Sequence, residues 1–259
     1  MPTLRRITVF PIKALAGVTV SEVALTDGGA LEHDREYALF DSSDGYVNGK
    51  RHKCIHRVAA QFDLSNGSVD LHVDGDPDWR TFALLDEQRE IAGFLGERLG
   101  LELALQRNAS SGYPDDTGAW GPTIISTATL QEVAGWFPGL DIESVRRRFR
   151  ANLEIDDVSP FWEDHLYGSG DKTVTFDIGN VRFEGVNPCR RCVVPTRDPD
   201  TGESYPKFAK ILAENRRANL PEWAHADHFA NPYRLSVNTR VDPSEADKTL
   251  RVGDPVVLT

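Results

Sequence analysis

Along much of the chain, hydrophobic and polar residues alternate over short spans, the period of half-buried strands. Ile7-Thr8-Val9-Phe10, Val18-Thr19-Val20-Ser21, Glu36-Tyr37-Ala38-Leu39-Phe40 and Val69-Asp70-Leu71-His72-Val73 are predicted strands. Asn66-Gly67 turns the chain before the last of these, and Pro11 is tolerable only at a strand end or edge. The period then lengthens. Ile91, Phe94, Leu95 and Leu99 share one helical face, with Asp86 as N-cap and Gly100 placed to end the helix. Leu101–Leu105 returns to a strand pattern, and the Ser-, Gly-, Pro- and Asp-rich stretch Asn108–Gly121 reads as a loop.

Beyond that loop, Thr127 or Thr129 caps a predicted helix carrying Leu130, Val133 and Phe137. Gly179-Asn180 joins Thr173–Ile178 to Val181–Val186 as a hairpin. Phe208, Ile211 and Leu212 mark a short helix, and Leu235-Ser236-Val237 and Val256-Val257-Leu258 are closing strands. Many short strands with few helices, and no regular βα alternation, predict an α+β fold. It is β-rich, with an antiparallel, barrel-like larger domain and a smaller β-barrel-type domain before it. The boundary is expected just before the loop, giving domains over residues 1–105 and 106–259.

Composition narrows the function. A net charge of −11 argues against nonspecific nucleic-acid binding and against docking on anionic lipid. No apolar run approaches the ~18 residues of a membrane span. Met1–Arg6 leads into a strand without an apolar signal core. Cys54, Cys189 and Cys192 are too few for a disulfide framework. A soluble, monomeric, cytoplasmic protein is expected. An iron–sulfur cluster generally takes four cysteines, so electrons for any redox chemistry must come from a separate partner.

The most informative segment is Asn187-Pro188-Cys189-Arg190-Arg191-Cys192, followed by Val-Val-Pro and the turn-forming Asp198-Pro199-Asp200-Thr201-Gly202. Guanidinium neighbours favour thiolate, a soft ligand for transition metals. A tetrahedral zinc site would want a second ligand pair, and none follows. A thioredoxin-type pair would open a helix, whereas Cys192 leads into a turn; two buried structural cysteines are the plain alternative. Arg146-Arg147-Arg148-Phe149-Arg150-Ala151-Asn152-Leu153 is a basic run in an acidic chain. Such a run is usually a solvated face. If the chain enters a strand there, Arg148, Arg150 and Asn152 share one side and suit a planar anionic ligand. Phe10-Pro11-Ile12-Lys13 and Asp34-Arg35 each offer one cation at a strand end. His52, Cys54 and His56 alternate, a face that suits packing better than a second metal. Glu163, Asp164 and His165 are acids and bases with no spacing that selects one of them.

Four motifs, Phe-Pro-Ile-Lys at 10–13, Asp-Arg at 34–35, Phe-Arg-Ala-Asn at 149–152 and Cys-Arg-Arg-Cys with Thr-Arg-Asp-Pro-Asp-Thr-Gly at 189–202, occur together and in order. With Arg251–Val256 they give the chain, over nearly its whole length, a resemblance to the MOSC family (molybdenum-cofactor sulfurase C-terminal domain) with its N-terminal β-barrel domain. The likeness is greatest to the amidoxime-reducing, N-hydroxyl-reducing branch. It implies that Cys192 ligates the molybdenum of a molybdenum–pterin cofactor, with Arg150 and Asn152 gripping the pterin and Arg191 and the surrounding loop supporting it. Lys13 and Arg35 would reach in from the first domain. Arg190, where relatives carry a small residue, would narrow or charge the entrance. Ala14 and Ala151 replace a frequent serine and proline, and Ala119-Trp120-Gly121-Pro122 does not match the relatives' cofactor loop. The implied activity is reduction of a small N-hydroxylated substrate with electrons from a separate iron–sulfur, flavin or haem protein. The rival is a non-catalytic cofactor-binding or persulfide sulfur-carrier protein.

Overall fold

The computed structural model describes residues 1–259. Strands β1 (Thr3–Val9) and β2 (Val18–Val20) open the chain, followed by β3 (Glu22–Ala24) and β4 (Tyr37–Asp41). A meander of β5 (Val58–Asp63), β6 (Ser68–Val73) and β7 (Arg80–Ala83) leads to helix α1 (Gln88–Leu99) and β8 (Leu103–Arg107). The later part holds β9 (Ile124–Ser126), α2 (Thr127–Gly135), α3 (Ile142–Phe149), β10 (Leu153–Asp156), β11 (Val174–Ile178) and β12 (Val181–Arg190). It finishes with α4 (Phe208–Ala218), β13 (Arg234–Val241), β14 (Thr249–Arg251) and β15 (Val256–Leu258).

Eight strands form the main sheet in the order β15-β11-β12-β13-β9-β10-β1-β2. Every pair is antiparallel except β9 and β10, which α2 and α3 join by a crossover, as parallel neighbours require. The sheet curls until its two sides meet. Thr3 bridges Pro255, and Leu4 N donates to Asp254 O at 2.8 Å while Val256 N donates to Pro2 O at 2.9 Å. Barrel closure therefore unites the two ends of the chain and leaves few open edges. Inside lie Leu4, Ile7, Phe176, Phe183, Val237 and their neighbours, all buried.

Helices α2, α3 and α4 cover the outside through Leu130, Val133, Val145, Phe149, Phe208 and Leu212. A separate core gathers Ile12, Leu39, Val69, Leu71, Ile91 and Leu95 between the β5-β6-β7 sheet, the β4-β8 pair and α1. No helix is long and apolar enough to cross a membrane.

Local chemistry sets the element ends. Gly100 caps α1 at φ 67°, as the sequence predicts, but the first turn begins after Glu87, whose carboxylate accepts from Ala83 N, instead of after Asp86. The cap of α2 is Ser126, whose hydroxyl accepts from Thr129 N at 3.1 Å. Neither expected threonine caps it. Lys53–Arg57 is a short 3-10 helix, so His52, Cys54 and His56 do not line one strand face. The basic run is corrected most. Asp141 accepts from Ser144 N and starts α3, with Val145 and Phe149 buried one turn apart, so residues 146–149 are helical and not a strand. Arg148, Arg150 and Asn152 consequently point to three different places.

Candidate functional site

A cleft of about 1070 Å³ lies between the two cores, and Lys13, Arg35, Arg150, Arg190, Arg191 and Cys192 all line it. Residues far apart in sequence are thus brought to one place, as the motifs predict. Asn152 is the exception: it is buried and stands behind the wall.

Arg150 is the first residue beyond α3. Its backbone takes the left-handed conformation (φ 53°, ψ 43°) and its N–H closes the helix on Arg146 O. Glycine is the usual residue there, because a Cβ in this region costs about 1–2 kcal/mol. Arg35 is left-handed as well, at φ 51°. Backbone strain of this kind concentrates where a side chain must be aimed. The Arg150 guanidinium sits 4.0 Å over the Phe10 ring, and Arg35 lies 5.4 Å from the same ring. Phe10 is therefore a spacer between two cations, offering each its electron-rich face. Gly17 leaves room for that ring: a Cβ there would come within 2.6 Å of it.

The two arginines differ in their partners. Arg35 donates to Asp34, whose other oxygen accepts from Phe10 N at 2.9 Å, and to Asn152 Oδ1 at 3.3 Å. Burial opposes its charge, but Asp34 and Asp115 more than offset that and raise its pKa. The Arg150 guanidinium has no hydrogen-bond or ion-pair partner. Burial, and then the neighbouring Arg35, pull its pKa down to about 10. It stays charged at neutral pH and faces the cleft with its donors free.

Cys192 is half-buried. Its sulfur accepts from Val194 N at 3.4 Å, and its carbonyl accepts from Tyr233 Oη at 3.0 Å. Arg191 ties this turn to the end of α3 by donating to Phe149 O at 2.5 Å, and it reaches Cys189 Sγ at 3.1 Å. Its Nε is buried without a partner. The turn downstream is built by Asp198, whose carboxylate accepts from Asp200 N and Thr201 N, and by Gly202 at φ 69°. Arg148 is spent on this turn, donating to Pro195 O and Asp198. Arg190 is exposed on the rim after the β-bulge between Pro188 and Arg190.

Asn152 works from behind. Its Oδ1 accepts from Thr123 N at 3.2 Å and from Arg35, while its Nδ2 donates to Thr8 O at 3.1 Å. It orients Arg35 and joins β1 to β10, where the motif alone suggests a ligand contact. Lys13 is nearly fully buried, and its ammonium donates to Tyr113 O and Asp115 Oδ1, both at 2.8 Å. The sequence assigns no cleft role to three of the lining residues. Phe10 enters only as part of a motif, Asp115 lies in what reads as a plain loop, and His56 falls on an alternating, strand-like pattern. The orphan Nε2 of His56 is buried on the cleft wall.

A curled antiparallel barrel is joined to a smaller β-rich unit, with an arginine-lined cleft and two thiols, Cys189 and Cys192, between them. The MOSC N-terminal beta barrel domain matches residues 1–138 and the MOSC domain matches residues 123–257. The chain belongs to the MOSC family. It is similar to proteins named molybdenum cofactor sulfurase: 25% identical to that of Drosophila grimshawi over 99% of this chain and 34% of the relative. The Caenorhabditis briggsae protein is 27% identical over 83% of this chain and 32% of the relative, and that of Danio rerio 25% over 95% and 35%. The chain thus spans about a third of the length of these relatives.

Proposed function

We propose that this chain binds a molybdenum–pterin cofactor in the cleft, with the Cys192 thiolate as the protein's ligand to the metal. The loaded protein reduces small N-hydroxylated molecules, taking electrons from a separate redox protein. The observation that carries this reading is the unpartnered Arg150 guanidinium in the same cleft as Cys192, on a residue whose backbone is left-handed. A half-buried cation without an internal partner is well placed to take an anionic ligand, which would offset its desolvation.

The residues present fit such a group. No three His, Cys, Asp or Glu side chains gather as a metal cage, so a metal held by Cys192 must take its other ligands from the cofactor. Arg150 and Arg191 present planar donors suited to the pterin and its phosphate. Lys13 and Arg35 would hold the anionic end from the opposite wall. The Val194 N–H on Cys192 Sγ and the Arg191–Phe149 bond would fix the thiolate's direction. When bound, the group supplies the two-electron chemistry at the N–O bond, while the protein governs orientation and access.

A second reading, a cofactor or persulfide carrier without turnover, is favoured by the relatives' name and by Arg191 beside Cys189, a second thiol in the cleft. Protein from a host that makes the cofactor separates the two. Reduction of an amidoxime or hydroxylamine by metal-loaded protein and an artificial donor is expected. Labile sulfane sulfur on Cys192 with no N–O reduction would establish the carrier instead.

A further inference from the structure

We propose that Asp115 is an internal stand-in for the ligand's phosphate ester, and that its loop is a latch which opens when that phosphate takes over Lys13. This rests on the reading of the cleft as a cofactor site, and deepens it by assigning how the anionic end enters.

Lys13 and Asp115 are unequal partners. The Lys13 side chain is 5% exposed and that of Asp115 is 61% exposed, across a 2.8 Å ion pair. Lys13 is fixed by its backbone, whose N–H donates to Tyr37 O at 2.7 Å beside β4. Asp115 is carried by Pro114–Gly118, which makes no backbone hydrogen bond to either core. The loop is anchored at its entry by Tyr113 N on Arg35 O, and further on by Arg240 on Gly118 O and Asn238 on Asp116. Gly112, at φ 59°, makes the left-handed turn at its base, where a Cβ would meet Asp34 O at 2.6 Å.

The charges around this carboxylate do not balance. Besides Lys13, Arg35, Lys50 and Arg150 act on it through space, while Asp34, already paired with Arg35, and Asp116 are the other acids among the cleft residues nearby. Burial pushes its carboxyl up, yet these cations together hold it well below the usual carboxylate range. Lys13, Lys50 and Arg150 share one movable monovalent anion, a setting that suits replacement by a phosphate ester, which carries more charge and more acceptor oxygens. The exchange moves Asp115 into solvent, where a carboxylate is at no cost, and leaves Lys13 paired.

Calorimetric titration of the full chain with inorganic phosphate tests this, with Asp115→Asn, Asp115→Glu and Lys13→Gln alongside. Asparagine can still accept from Lys13, so the fold is kept while the competing charge goes. Asp115→Asn should bind phosphate about tenfold more tightly than wild type, Asp115→Glu about as wild type does, and Lys13→Gln not measurably. Phosphate should also speed the cleavage of the 113–118 segment of the wild type in limited proteolysis, by loosening its tie to Lys13. Unchanged or weaker binding by Asp115→Asn, absence of phosphate binding, or an unchanged cleavage rate of the segment under saturating phosphate would overturn the latch. Molybdenum measured on the same variants keeps the two readings apart. Tighter phosphate binding without metal sinks only the cofactor reading, and metal without that gain sinks only the latch.

Discussion

Arg35 Nη1 and Asn152 Oδ1 lie 3.3 Å apart, joining a residue before β4 to one before β10. Because the same amide oxygen accepts from Thr123 and its nitrogen donates to Thr8 O, one buried side chain aligns three segments and one cleft cation. A residue that does not line the cleft thereby sets the direction of a cation that does.

Replacing Asn152 by leucine leaves Thr123 N, Thr8 O and one Arg35 donor without their partner. The expected loss is about 2–4 kcal/mol of folding stability, read by urea denaturation. Cofactor content should fall along with it, although Asn152 is not on the cleft surface. Full cofactor retention would show that Arg35 needs no brace.

At Arg150, stability and binding should part company. Arg150→Gly relieves the left-handed backbone at φ 53° and removes a cation with no partner. The ligand-free protein is expected to gain about 1 kcal/mol, while binding of the anionic cofactor is lost. Arg150→Lys keeps the strain and one charge, and should bind weakly. Thermal melts of ligand-free protein, paired with metal analysis, separate these effects.

Glu163 gives the chain a pH-dependent weakness away from the cleft. Burial, and then the nearby Asp164, raise its carboxyl to about 7, with only Thr129 Oγ1 as a hydrogen-bond donor to one oxygen at 3.0 Å. Asp164 is itself paired with Arg216, so that cation does not serve Glu163. The folded state holds this proton more tightly than the unfolded chain does. Its contribution is therefore intact below about pH 4.5 and is lost as pH rises through about 7. Glu163→Gln should match wild type near pH 4.5 and exceed it by about 3 kcal/mol at pH 8. Equal stability at both pH values, in denaturant titrations, would contradict this.

The parts legible in the sequence are those whose cause is local. The Gly179-Asn180 hairpin, the apolar face of α1 with Gly100 behind it, and the β-rich α+β class all follow from short-range spacing. The motifs likewise contain Lys13, Arg35, Arg150, Arg190, Arg191 and both cleft thiols, but not Lys50. Arg146–Asn152 misled because alternate charges fit a strand as well as a helix. What decides it is the Asp141 cap and the Val145–Phe149 pair upstream, together with a left-handed stop at an arginine, where glycine is usual. Barrel closure through Thr3 and Pro255, and the Lys13–Asp115 pair across 102 positions, depend on tertiary contacts that no window of sequence contains.

The central claim is that the Cys192 sulfur is a direct ligand to molybdenum. Its most direct test is metal analysis of wild type and Cys192→Ala, both purified from a host that makes the cofactor, with Cys189→Ala as control. Wild type and Cys189→Ala should each carry about one molybdenum per chain, as a single thiolate ligand implies, and Cys192→Ala should carry almost none while melting like ligand-free wild type. Cys192→Ala holding as much molybdenum as wild type would contradict the claim.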